Sequence, residues 1–197
     1  MSNYQTVECL TLDEIKAIDA CYNPDTNIGV RNLAIIHCML DAGMRSGEVQ
    51  QLRIGDVDFD KNLISVRDIK YGRHRLVPIA IVLKDYLKRY IDARCKAGVC
   101  TADDFVFMTP RGPLSENAVK CIFQRLKVKS GIERLYPYLF RHTFALSYLL
   151  CGGTVERLKV YMGHTSVDTT RRYLYVCKSV DMSNLYLIDS CFFKPIM

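Results

Sequence analysis

The amino-acid sequence predicts a mainly α-helical domain carrying one small antiparallel β-sheet, an α+β fold, and three observations carry that prediction. Apolar residues recur at helical spacing in eight separate segments. The period changes to strand-like alternation mainly in two adjacent runs between Asn62 and Ala80. Of the 197 residues 49% are hydrophobic, and no internal repeat, low-complexity tract or Gly/Pro/Ser-rich linker divides them, so one core is expected and disorder is excluded.

The elements follow in order. TLDE, from Thr11 to Glu14, has the form of a capping box and opens a helix Leu12 to Cys21 that Asn23 and Pro24 end. A second helix is expected from Asn27 to Ala42, with Leu33, Ile36, His37 and Leu40 at helical spacing. Gly43 suits its C-terminal cap, and His37 reads as a core histidine. Ser46 is expected to cap a short third helix carrying Val49 and Leu52, before the loop RIGDVDFDKN. NLISVRDIK and RHRLVPIA then form an antiparallel hairpin with Gly72 in its turn; Pro78, which cannot donate to a ladder, suits a strand end. Further helices are expected at 80–97, 115–129, 138–151, 154–162 and 166–178, with a strand DFVFM and a turn TPRGP after the first of them.

Composition excludes several classes of function. The apolar runs LAIIHCML and FALSYLL fall short of the roughly 20 residues a membrane span requires, and the N-terminus lacks a basic segment followed by an apolar one. A cytoplasmic protein with no membrane partner is therefore expected. Nine cysteines stand singly, odd in number and without C-x-x-C spacing, and the four histidines lack H-E-x-x-H spacing. Reduced thiols, no metal and no cofactor follow. The formal net charge of +6 favours polyanionic partners where the cations cluster. The tail DMSNLYLIDSCFFKPIM is apolar for a terminus and must dock on its own domain or on a neighbour.

Four segments, DAGMRSGEVQQLRIGDVDFD, KYGRHRLVPI, LFRHTFA and YMGHTSVDTTRRYLYV, resemble in this order the signature segments of the tyrosine recombinases, or phage integrases, from about Leu10 to Lys178. The resemblance implies that family's catalytic-domain fold and its chemistry. A tyrosine hydroxyl attacks a DNA phosphodiester, leaving a 3′-phosphotyrosine and a 5′-hydroxyl, and a 5′-hydroxyl of another strand reverses the step. Such covalent catalysis needs cations around the phosphate, a proton donor for the leaving oxygen and a positioned nucleophile.

On this resemblance Tyr173, nine residues after His164, is the nucleophile and Tyr175 a decoy. A phenol with a pKa of about 10 needs positive charge nearby, and Arg171 and Arg172 precede it. Arg45 and Arg141 match the arginines that clamp the phosphate, since a guanidinium holds two oxygens at once; Glu48 is the partner expected to orient Arg45. Lys70, eight residues before Pro78, matches the hairpin general acid. Arg73, His74 and Arg75 beside it, with Arg171 and Arg172, are expected to grip DNA. His164 matches the donor to a nonbridging oxygen.

One position departs from the pattern. The family usually has histidine three residues before the second arginine, and Tyr138 stands there, a hydrogen-bond donor but a poor base. His142, roughly 100° round the helix from Arg141, is expected to face away from it and bond internally, so it offers no evident replacement. The resemblance further implies double-stranded DNA as partner, accessory DNA-bending proteins, and a tetramer assembled on DNA through Leu185, Leu187, Phe192 and Phe193 of the tail. The catalytic pattern fills 1–180, with no preceding DNA-clamping domain expected, the layout of single-domain fimbrial phase-switch recombinases. The alternative is a catalytically weak DNA-binding accessory protein of the same fold.

Overall fold

The computed structural model describes residues 8–68, 72, 74–98, 100–177, 184 and 186–188. Its helices are α1 (Leu12–Asp19), α2 (Asn27–Leu40), α3 (Ser46–Gln51), α4 (Ile81–Ala97), α5 (Glu116–Ser130), α6 (Pro137–Leu150), α7 (Val155–Met162) and α8 (Val167–Cys177). The strands are β1 (Val57–Asp58), β2 (Leu63–Arg67), β3 (His74–Pro78), β4 (Met108–Thr109) and β5 (Gly112–Pro113). Strands β1, β2 and β3 form one antiparallel sheet in that order, and β4 pairs with β5. The α+β prediction is borne out, with helices dominant.

The core is built on α2, which packs against α4 and α6. Leu33, Ala34, Ile35 and Ile36 are all buried, so this helix is apolar all round, as an element enclosed by others must be. Helix α6 is the second internal element; Leu139, Phe140, Phe144 and Leu146 are buried, and α7 and α8 pack over it. Those two helices and the β3 edge, which touches α7, assemble the site described below.

Local chemistry explains the boundaries. The capping box at Thr11 is present: its Oγ1 accepts from the Glu14 amide at 3.2 Å and its own amide donates to Glu14 Oε2 at 2.9 Å. Gly43 adopts φ +60°, and a Cβ there would lie 2.5 Å from the Phe144 ring, so glycine is required on both counts. In the sheet Ile64 faces Val77 and Val66 faces Arg75, and Ile64, Val66 and Val77 are buried. Because cross-strand partners share a face, Arg75 points to the protein side and Leu76 outward.

Three local expectations need correction. Ser46 does not cap α3: it is the first helical residue, and Glu48 reaches back to the Arg45 amide at 2.7 Å instead. DFVFM is not a strand over its length, because consecutive Val106 and Phe107 are both buried and alternation is lost; only Met108 enters a strand. The loop RIGDVDFDKN contains a 3-10 turn, Ile54–Asp56, and the short strand β1.

His37 is a core histidine, as expected, and a charged one. Burial alone would lower its pKa, but Asp41 at 2.7 Å and Asp19 at 3.0 Å outweigh that and raise it to about 10. The described part of the tail docks on its own domain. The Tyr186 hydroxyl donates to Asp41, the Ile188 amide donates to Ser147 Oγ at 2.7 Å, and the Ile188 side chain is buried. Leu187 is 58% exposed. Leu185, Phe192 and Phe193 lie outside the described residues.

Candidate active site

The site is organised by one carboxylate. Glu48, on the first turn of α3 and nearly buried, is gripped by Arg75 from β3 through two parallel bonds, Nη1 to Oε1 at 2.8 Å and Nη2 to Oε2 at 2.7 Å. Arg45 adds Nη1 to Oε1 at 2.9 Å, and Arg141 Nη1 lies 3.9 Å from Oε2. Burial would raise the Glu48 pKa, yet Arg75, the Arg45 amide and Arg141 together hold it below the ordinary carboxylate value. Three guanidinium groups thus converge on this one carboxylate in a largely desolvated place. Such a place is stabilised by an anion.

Two helix ends fix the arginines. Arg141, on the second turn of α6, is 1% exposed and donates to the carbonyls of Gly43, after α2, and of Met162, the last residue of α7. Both carbonyls lie at the negative ends of helices, which suits a buried cation. Burial first, then Arg45 and Arg75, pull its pKa down, marking a strained accumulation of positive charge. Gly163 closes α7 in the left-handed region at φ +59°; its carbonyl accepts from Arg45 Nη2 at 3.1 Å. A Cβ on Gly163 would meet Arg75 Nη1 at 3.0 Å, so this glycine also admits the guanidiniums. Arg45 remains partly exposed and lines an open cleft of about 530 Å³ with Ser46, Tyr138, Gly163 and His164. Arg141 lies behind that wall.

The chain turns from Gly163 into His164, whose Nδ1 is 2.8 Å from Thr170 Oγ1. Thr170 is fully buried on α8. With its hydroxyl donating, Nδ1 accepts and the proton sits on Nε2. Burial, then Arg141 and Arg45, lower the His164 pKa to about 3, so at neutral pH it is a neutral donor. One turn beyond Thr170, on the same face, is Tyr173. Tyr173 is 1% exposed; its oxygen lies 2.7 Å from His142 Nδ1 on α6 and 3.4 Å from Arg172 Nη2, whose guanidinium covers the ring at 5.1 Å. An unbroken set of contacts thus runs from Arg75 through Glu48, Arg45, Gly163, His164 and Thr170 to the helix bearing Tyr173.

Several residues stand where the sequence did not put them. Arg75, expected on DNA, has 8% of its side chain exposed and is occupied by Glu48 and by the Tyr161 carbonyl at 2.7 Å; its strand phase turns it inward. His142 does turn away from Arg141 and bond internally, but its partner is the Tyr173 hydroxyl, because α8 packs against that side of α6. Thr170 went unnoticed, although its spacing of six from His164 and three from Tyr173 is a readable signal. His74 is exposed beside a second opening of about 270 Å³ shared with Lys159 and Thr165. Arg171 is exposed and pairs with Asp168 at 3.3 Å. Tyr138, 48% exposed, stands at the cleft with its ring 5.8 Å from that of His142. Lys70 and Arg73 lie outside the described residues. Among the described residues no cluster of His, Cys, Asp and Glu could hold a metal ion, and no helix is long and apolar enough to cross a membrane.

A helical domain in which Arg45 and His164 line one cleft, Arg141 is buried against the same carboxylate as Arg45, and Tyr173 is enclosed on the helix that carries Thr170, the partner of His164, has the plan of a tyrosine recombinase catalytic domain. Residues 8–179 match the phage integrase family, and the chain belongs to it. It is 31% identical over 172 residues to tyrosine recombinase XerC of Bacillus pumilus (strain SAFR-032), an alignment covering 84% of this chain and 56% of that protein. The crystal structure of XerA recombinase superposes with a TM-score of 0.76 at 30% identity, covering 91% of this chain and 62% of that one. The catalytic domain of bacteriophage HP1 integrase shares the fold, with a TM-score of 0.61 at 24% identity and coverages of 88% and 90%. The chain spans about half the length of the curated relative it matches.

Proposed function

We propose that the chain is the catalytic domain of a site-specific DNA recombinase that cuts and rejoins double-stranded DNA through a 3′-phosphotyrosine. One observation carries the reading: the arginine-rich Arg45–Glu48–Arg75–Arg141 cluster opens on a cleft whose wall includes His164, which is bonded to Thr170 on the helix that bears Tyr173. Arg45 and Arg141 stabilise the charge of the five-coordinate phosphorus, Arg45 from the wall and Arg141 from beneath it. The Nε2–H of His164 donates to a nonbridging oxygen. Tyr173 is the nucleophile, and Lys70 protonates the departing 5′ oxygen. Because a phosphodiester is exchanged for a phosphotyrosine ester, the energy of the bond is retained and no ATP is consumed. His74, Arg73, Arg171 and Arg172 hold flanking phosphates. The tail, with Leu185, Leu187, Phe192 and Phe193, joins protomers into a tetramer on DNA; sedimentation of DNA complexes truncated after Ser183 is expected to show loss of the tetramer, and an intact one refutes this role.

The function is tested by incubating the protein with a pool of nicked duplexes of randomised sequence and recovering DNA that stays bound in detergent. Recovery is expected from the unaltered chain and from Tyr175→Phe, and not from Tyr173→Phe. Non-covalent binding without an adduct supports the accessory-protein alternative instead.

A further inference from the structure

We propose that His142 is a catalytic residue that accepts the Tyr173 proton during strand cleavage, a task the tyrosine at position 138 cannot perform. The proposal rests on the recombinase reading above and adds the missing base to it.

Geometry comes first. Tyr173 is enclosed, so bulk water does not reach its hydroxyl, and the imidazole Nδ1 sits 2.7 Å from the phenol oxygen. The other hydrogen-bonding neighbour of that oxygen among the described residues is Arg172 Nη2 at 3.4 Å, which only donates and therefore favours the phenolate left behind. The imidazole is held between two rings, Tyr138 at 5.8 Å and Tyr173 at 5.7 Å, so its orientation is set before substrate arrives. Tyr138 itself is a second phenol, 48% exposed at the cleft mouth.

Electrostatics then link the base to the substrate. The charged groups around His142 are Arg172 on α8 and Arg141 on its own helix. Burial first, then those two cations, lower its pKa to about 4, so the ring is neutral throughout the neutral range and, with the Tyr173 hydroxyl donating, its Nδ1 accepts. A phosphodiester seated at the cleft offsets the same cations and raises the proton affinity of the ring. The base is thus strengthened when DNA occupies the site.

The step balances. The Tyr173 O–H bond breaks and its proton passes to Nδ1, giving an imidazolium; the phenol oxygen bonds to phosphorus; the bond from phosphorus to the 5′ oxygen breaks, and that oxygen takes a proton from the Lys70 ammonium. Religation returns both protons.

The contrary idea is that His142 merely stores the phenol away from the cleft, and the two differ in sign. Duplexes recovered from the randomised pool serve as substrate for single-turnover adduct formation. His142→Gln, which keeps a hydrogen-bonding side chain but cannot carry a proton, is expected to fall about 100-fold or more in rate with DNA affinity and melting temperature unchanged. His142→Gly is expected to be slow and to be accelerated by free imidazole, in proportion to its neutral form. A His142→Gln rate equal to or above that of the unaltered chain, or a folded His142→Gly that imidazole does not accelerate, overturns the proposal while leaving the recombinase reading intact. Absence of any adduct from the unaltered chain overturns both.

Discussion

At the scale of single residues, the site depends on hydrogen bonds that orient its rings. Thr170 does this for His164. Thr170→Val preserves shape but leaves Nδ1 without its partner in a buried place, at a cost of about 1–3 kcal/mol, and frees the ring to turn. Adduct formation is expected to slow by roughly ten-fold or more, whereas Thr169→Val, at the cleft edge, leaves it unchanged; equal effects from the two variants contradict the role of Thr170. The histidines also set the pH profile of stability. His142 and His164 have folded pKa values of about 4 and about 3, below the ordinary 6.5, so the unfolded chain binds more protons as pH falls below 6.5 and stability drops. His37, raised to about 10, contributes stability that is complete below 6.5 and is lost as pH rises toward 10. Denaturant midpoints between pH 4 and pH 9 are expected to peak near neutrality, and His37→Gln to flatten the alkaline limb. An alkaline limb unchanged in that variant contradicts the assignment.

At the scale of elements, β3 shows how two adjacent residues serve opposite ends. Arg75 turns inward to Glu48 and Leu76 turns out, 48% exposed. Arg75→Met removes both prongs on a buried carboxylate and is expected to destabilise by about 3 kcal/mol in urea titration, while Leu76→Ala stays within about 0.5 kcal/mol. Equal losses would place Arg75 on the outer face. This phase was legible, since alternation puts Arg75 with buried Val77, but the basic character of RHR drew attention to phosphate instead. The long helices were legible because apolar periodicity persists through them, and Gly43 announced the end of α2. DFVFM was not, because consecutive buried residues break the two-residue period and only tertiary packing decides such a segment. The contact between His142 and Tyr173 was half legible: helical phase gave the direction in which His142 points, but not that α8 would be lying there.

At the scale of the whole molecule, the formal charge of +6 is distributed between a buried cluster that orders the site and exposed cations such as Arg171. On the proposed function the exposed set grips the DNA backbone independently of sequence. Duplex affinity is expected to fall steeply between low and physiological salt, with a logarithmic slope of about −0.9 for each phosphate neutralised. Arg171→Gln should reduce that slope by about one, and an affinity indifferent to salt would contradict a phosphate-based grip. The interior charges answer to different physics: Arg141 donates to two helix-end carbonyls and Glu48 bridges three elements, so the site and the packing of α2, α3, α6 and α7 are one structure.

The central claim is that this cluster serves covalent capture of a DNA phosphate by one particular phenol. The most direct measurement is mass spectrometry of the detergent-stable DNA adduct after nuclease and protease digestion. A nucleotide remnant attached through a 3′-phosphate to Tyr173 is the predicted result; a remnant on Tyr175, on any other residue, or on none contradicts the account.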